Sequence, residues 1–272
     1  MSVAPKSEDV RPIAASGFLV VDGARLEYRL WSGAAKNAAI LVLLHEGLGS
    51  VGLWGDFPGR LAATTGRRVF AYSRAGYGAS SAIALPRPLD YMQREAIEVL
   101  PRVLDAIGFA QGALIGHSDG ASIAAVYAGA HRDARVAALT LIAPHFVVED
   151  MTIAAIERAR QVYESGDLKP KLARWHADAD ITFRGWNEAW LDPGFRDFDI
   201  SSYLRDVAPP VQIIQGKDDP YGSVRQIEIA RARLPRPPDV TMLPSVGHAP
   251  HREAMEATLR QIRLFLAPLG LG

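Results

Sequence analysis

The chain has 272 residues, 49% of them hydrophobic and 22% charged, an ordinary soluble composition with length enough to bury a sizeable core. Its 30 basic and 30 acidic residues cancel without a long single-sign run, which argues against nucleic acid as the main partner and leaves only a local basic patch open. With no cysteine, disulfides, thiolate metal sites and cysteine nucleophiles are excluded.

The opening MSVAPKSEDVRPIAASG lacks an apolar core of signal-peptide length. No apolar run approaches the roughly 18 residues that span a bilayer, so the expectation is a cytoplasmic protein with no membrane partner. Residues 1–15 read as a loose arm. Phe18–Val21 and Arg25–Trp31 alternate as strands around Asp22-Gly23, a two-residue hairpin signal. Ala38–Leu44 is a continuous apolar run, as expected for a strand covered on both faces, and it leads into HEGLGS. Phe57–Thr65 should be helical, and Arg68–Tyr72 is another buried strand that ends in the glycine-rich loop SRAGYGAS. Asp90–Ile107 has helical spacing, with Pro101 expected to kink or divide it. A strand at Ala113–Ile115, a helix at Ala121–Ala130 and a strand at Val136–Ala143 follow.

Between Phe146 and Ala208 the alternation gives way to helical stretches, Thr152–Tyr163, Lys169–His176 and Trp186–Trp190. It resumes with strands at Val211–Ile214 and Val240–Leu243 and helices at Ser223–Leu234 and Arg252–Leu266. The expected architecture is α/β: a mostly parallel sheet with helices on both faces and an antiparallel opening hairpin. Residues 1–145 and 209–272 form the core in this reading, and 146–208 form a helical insertion above the carboxyl ends of the strands.

Chemistry concentrates in GALIGHSDG, residues 112–120, which fits Gly-x-Ser-x-Gly between a strand and a helix. Flanking glycines give the chain room to reverse and hold the Ser118 hydroxyl at a helix N-terminus, where the dipole favours developing negative charge. A serine hydroxyl is a weak nucleophile that needs a base, and the base needs an orienting carboxylate. In this architecture the carboxylate and histidine follow the serine in chain order, in loops after later strands. GKDDP follows the strand at 211 and SVGHAP follows the strand at 240, which supplies Asp218 or Asp219 and then His248.

With these motifs the chain resembles the α/β-hydrolase fold family, of the serine esterase type with a helical cap, over nearly everything after residue 15. HEGLGS, SRAGYGAS, GHSDG, GKDDP and GHAPHREA carry the resemblance. It implies Ser118, Asp219 and His248 as a triad, with Asp219 favoured over Asp218 by its spacing from the preceding glycine. The oxyanion donors are expected to be the backbone N–H of Asp119, the residue after the nucleophile, and by resemblance that of Gly47. Glu46 departs from the commoner His-Gly-x pattern. It reads either as a carboxylate buried behind the loop, with Arg74 as a candidate partner, or as a substrate-gated group of the dienelactone-hydrolase kind.

Among the histidines, His117 and His45 read as structural, His131 as superficial, His145 as a pocket residue or packing, and His176 as part of the cap. His248 and His251 stand three apart, but Pro250 between them speaks against a metal site. Trp54, Phe146, Phe183, Trp186 and Trp190 are candidates for an apolar acyl pocket, with core packing the alternative for each. The resemblance implies hydrolysis of a small-molecule carboxylic ester through an acyl-enzyme, without cofactor or metal. Thioesters, lactones and carbon–carbon bonds are alternatives for the same apparatus, and a capped-cavity receptor without turnover is the alternative of another class. The oligomeric state stays open.

Overall fold

The computed structural model describes residues 10–34 and 39–271. Eight strands form one sheet: β1 (Ile13–Val21), β2 (Ala24–Trp31), β3 (Ile40–Leu44), β4 (Arg68–Tyr72), β5 (Gly112–His117), β6 (Val136–Ile142), β7 (Val211–Gly216) and β8 (Asp239–Leu243). Their order is β1-β2-β4-β3-β5-β6-β7-β8. The β1–β2 and β2–β4 pairs are antiparallel and the rest are parallel. The hairpin turns at Asp22-Gly23, both with positive φ, as the residue pair demands. The arm expected over 1–15 falls outside the described residues up to residue 9, and from Ile13 the chain is already strand. Ala38, the expected start of β3, also lies outside them.

Continuous apolar runs are required because the central strands are covered on both sides. In β3, Ile40, Val42 and Leu44 face one core while Leu41 and Leu43 face the other. Helices α1 (Phe57–Thr65) and α10 (Met255–Leu266) close the second face with Leu61, Leu259 and Ile262. On the first face lie α2 (Tyr91–Arg94), α3 (Leu100–Ala106), α4 (Asp119–His131) and α8 (Val224–Arg233). Pro101 does not divide its helix, because a π turn over Glu95–Val99 joins α2 to α3. Proline has no N–H to give the carbonyl four residues earlier, and that carbonyl, on Ile97, instead lies 3.2 Å from His131 Nε2. The last helix, by contrast, divides into α9 (Pro250–Glu253) and α10.

Between β6 and β7 the chain carries α5 (Asp150–Ser165), α6 (Leu168–Leu172) and α7 (Ala179–Leu191). Among the described residues no helix is long and apolar enough to cross a membrane.

Candidate active site

Strand β5 ends at His117, and Ser118 turns the chain with φ 52° and ψ −118° before α4 begins. A non-glycine residue held there stores strain that the surroundings must over-determine. They do so with bare glycines: a Cβ at Gly116 would collide with the backbone of Gly120 and Ala121, and one at Gly120 with the carbonyl of Leu44. The Ser118 N–H donates to the Ile142 carbonyl at 2.9 Å, and its own carbonyl accepts from Ala121 N–H at 2.8 Å.

The partners arrive from the carboxyl ends of β7 and β8. His248 Nε2 lies 3.0 Å from Ser118 Oγ, and its Nδ1 lies 2.8 and 3.0 Å from the two Asp219 oxygens. A carboxylate only accepts, so Nδ1 carries the proton and Nε2 offers its lone pair to the serine hydroxyl. Asp219 is itself fixed, accepting from Gln215 Nε2 at 2.7 Å and from the Tyr221 N–H at 2.8 Å. Burial opposes its charge, yet the His248 imidazole and the Tyr221 N–H outweigh that and hold the carboxyl below the usual range. Asp218 is exposed, and its backbone N–H donates to Val246.

Gly47 and Asp119 both border the cavity in front of Ser118. Neither backbone N–H has a hydrogen-bond partner among the described residues, so both donors are free for an oxygen bound there. The loop that presents Gly47 is held from behind by buried Arg74, which donates to the carbonyls of His45, at 2.5 Å, and Glu46, at 3.0 Å. Arg74 therefore meets the backbone at Glu46 and not its carboxylate. That carboxylate lies 3.4 Å from His117 Nδ1. Burial works against its charge, but His117 and the neighbouring histidines prevail and keep it far below the usual carboxylate range. His117 Nε2 in turn donates to the backbone carbonyl of His248 at 2.7 Å.

The cavity is small, about 110 Å³. Glu46, His145, Trp186 and Trp190 line it, whereas Phe146, Phe183 and Trp54 do not. Phe146 is fully buried in the core beside β6, Phe183 stacks on Tyr163 at 3.7 Å, and Trp54 packs on Phe57 and His251. Sequence reasoning missed Thr152, Ile156 and Tyr221 in the wall, which Leu48 of the HEGLGS loop completes. Only Tyr221 carried a signal, as the second residue after the acid. Its ring lies 4.7 Å from that of His248.

The Asp119 side chain is also buried. Its Oδ2 accepts from Tyr91 OH at 2.5 Å, and Tyr91 OH accepts from Trp190 Nε1 at 3.0 Å, which ties α7 to the elbow. Burial lifts the Asp119 carboxyl above its ordinary value even with Arg74 and Tyr91 acting against it. His176 anchors the same region elsewhere, with Nδ1 accepting from Gly78 N–H at 2.9 Å and Nε2 donating to the Leu48 carbonyl at 3.0 Å. His251 is buried against Trp54, Phe57 and His117.

Comparison with known proteins bears on the family and the fold. The profile of the Alpha/beta hydrolase family matches residues 41–261. The chain belongs to that family. It is 28% identical over 262 residues to the dihydrolipoyllysine-residue acetyltransferase component of the acetoin cleaving system of Pseudomonas putida, covering 90% of this chain and 67% of that one. It is 32% identical over 128 residues to the Sus scrofa 1-acylglycerol-3-phosphate O-acyltransferase ABHD5, covering 47% of this chain and about a third, 36%, of that protein. Among solved structures, that of a membrane phospholipase A described as a bacterial virulence factor superposes with a TM-score of 0.75 at 22% identity, covering 95% of this chain and 87% of that one. That likeness bears on the fold. In this α/β hydrolase the motif-bearing loops all converge on one rim of the sheet, at the carboxyl ends of β3, β4, β5, β7 and β8.

Proposed function

We propose that the chain is a serine hydrolase that cleaves carboxylic esters through an acyl-enzyme. One observation carries the reading: a hydroxyl, an imidazole and a buried carboxylate stand in unbroken hydrogen-bond contact, at 3.0 and 2.8 Å, beside two unengaged backbone N–H groups. Ser118 Oγ attacks the acyl carbon as its proton passes to His248 Nε2. The charge that develops on the acyl oxygen falls to the N–H groups of Gly47 and Asp119 at the positive end of α4. Asp219 keeps Nδ1 protonated and steadies the imidazolium. His248 then returns the proton to the leaving alcohol, and the same nitrogen activates the water that releases the acid.

In this reading residues 146–208 act as a cap, since Thr152, Ile156, Trp186 and Trp190 roof a cavity whose floor is the strand ends. Its size favours short acyl groups. Because both sequence relatives bear acyltransferase names, an alcohol or thiol taking the acyl group in place of water is the second reading. The test is turnover of aryl esters of graded acyl length by the purified protein, with and without an added acceptor alcohol, beside Ser118→Ala. Loss of turnover in the variant with the fold intact, and a short-chain optimum, are expected. Equal rates in both proteins would overturn the assignment, and ester product formed with the acceptor would favour transfer.

A further inference from the structure

Beside the Ser118 cavity lies a larger one, of about 450 Å³ against about 110 Å³. The two share Glu46 and Leu48 as common wall, so a single molecule lying across that wall reaches both. Their charge differs. The larger cavity is bordered by Lys171, Arg174 and Arg252 against the single carboxylate of Glu46. Lys171 is paired with Asp167 at 2.6 Å, whereas the Arg174 and Arg252 side chains have no ion pair or hydrogen bond among the described residues. Two exposed guanidinium groups without partners, on a recess otherwise walled by leucines and Trp175, make a local positive field on a chain of zero net charge. Guanidinium donors match phosphate oxygens in pairs.

We propose that this recess binds a phosphate carried by the leaving alcohol or thiol of the substrate, while the acyl group occupies the Ser118 cavity. The assignment rests on the hydrolase reading above. The cations fix the orientation: Arg174 and Arg252 border the larger cavity and not the smaller one, so a phosphate is drawn to the recess while the uncharged acyl group enters beside Ser118. The exposed face of Trp175, 45% accessible, offers the apolar or aromatic part of the leaving group a surface to lie on.

The experiment compares two acetyl esters of the same phenol, one bearing a phosphate on the ring and one without it. In Arg174→Ala/Arg252→Ala the ratio of kcat/KM for the phosphate-bearing over the neutral ester should drop about tenfold, carried by KM, as expected for the loss of two exposed charge contacts. Added salt should lower the same ratio in the wild type. A ratio that does not move in the double variant overturns the proposal. Independently of turnover, phenyl phosphate titrated into Ser118→Ala should saturate a change in tryptophan fluorescence that Trp175→Phe removes. Absence of a saturable signal sinks the subsite without touching the hydrolase reading. Ester turnover that survives Ser118→Ala sinks the hydrolase reading while the titration still decides the subsite.

Discussion

Two histidine–carboxylate pairs stand side by side at the strand ends, and they are built for different work. In His248–Asp219 the carboxylate is buried, both its oxygens are hydrogen-bonded, and the far ring nitrogen is left for Ser118. In His117–Glu46 the rings lie only 5.0 Å away, yet the far nitrogen is committed to the His248 carbonyl and the carboxylate stands off at 3.4 Å. An imidazole beside an acid is therefore not enough. What separates a proton carrier from a prop is whether the second nitrogen faces a reacting group or the backbone.

The sharpest way to break this contrast is to neutralise each acid in turn. Asp219→Asn removes the acceptor that fixes the His248 tautomer, and kcat should fall by about 10⁴. Glu46→Gln should cost at most about tenfold, because its contact orients a supporting ring. Comparable losses in the two variants, measured as kcat on a short acyl ester, would erase the distinction between them. An effect between those two tests the prop itself. His117→Phe leaves the His248 carbonyl without a donor, a loss of roughly 1–3 kcal/mol in positioning, or about fivefold to 160-fold in kcat with KM nearly constant. His117→Gln, whose amide can replace the Nε2–H, should restore most of that rate. Equal rates for the Phe and Gln variants would show that the ring packs there and does not position.

Much of this was legible before any coordinates. The buried apolar runs at β3 and β4 dictated a covered parallel sheet, and the strand–serine–helix signature at Ser118 needed no tertiary information. Illegible were contacts set by distant parts of the chain. Lys169–His176 reads as helix, but α6 ends at Leu172, and His176 is drawn out to bond Gly78 and Leu48. Phe183 lies one turn from Trp186 on α7 and shares its helical spacing, but its stacking on Tyr163 of α5 is a property of how two helices meet. Glu46 and Arg74 were sound candidates by charge alone. The side chain that reached Glu46 was His117, while the two terminal Arg74 nitrogens went to the backbone carbonyls of His45 and Glu46.

A third imidazole extends the comparison to a histidine with no carboxylate at all. His145 lies 5.6 Å from His248 in the same cavity, buried, with Nδ1 unpartnered. Burial first, and then the His248 charge, push it down to about 3, with Asp219 resisting. An unfolded chain binds a proton at this side chain below about 6.5. Between those values the unfolded state holds a proton that the folded state refuses. Stability from this residue is thus complete above about pH 6.5 and lost as pH falls, by about 1.4 kcal/mol per pH unit while the difference lasts. His45, His176 and His251 are lowered by burial in the same direction, so the wild type should weaken steeply on the acid side. Urea unfolding between neutral pH and pH 5 should give His145→Gln a shallower acid limb than the wild type, by about one proton's slope. Parallel limbs would mean that His145 takes up its proton in the folded cavity, and hence that an imidazole there is charged without a carboxylate to hold it.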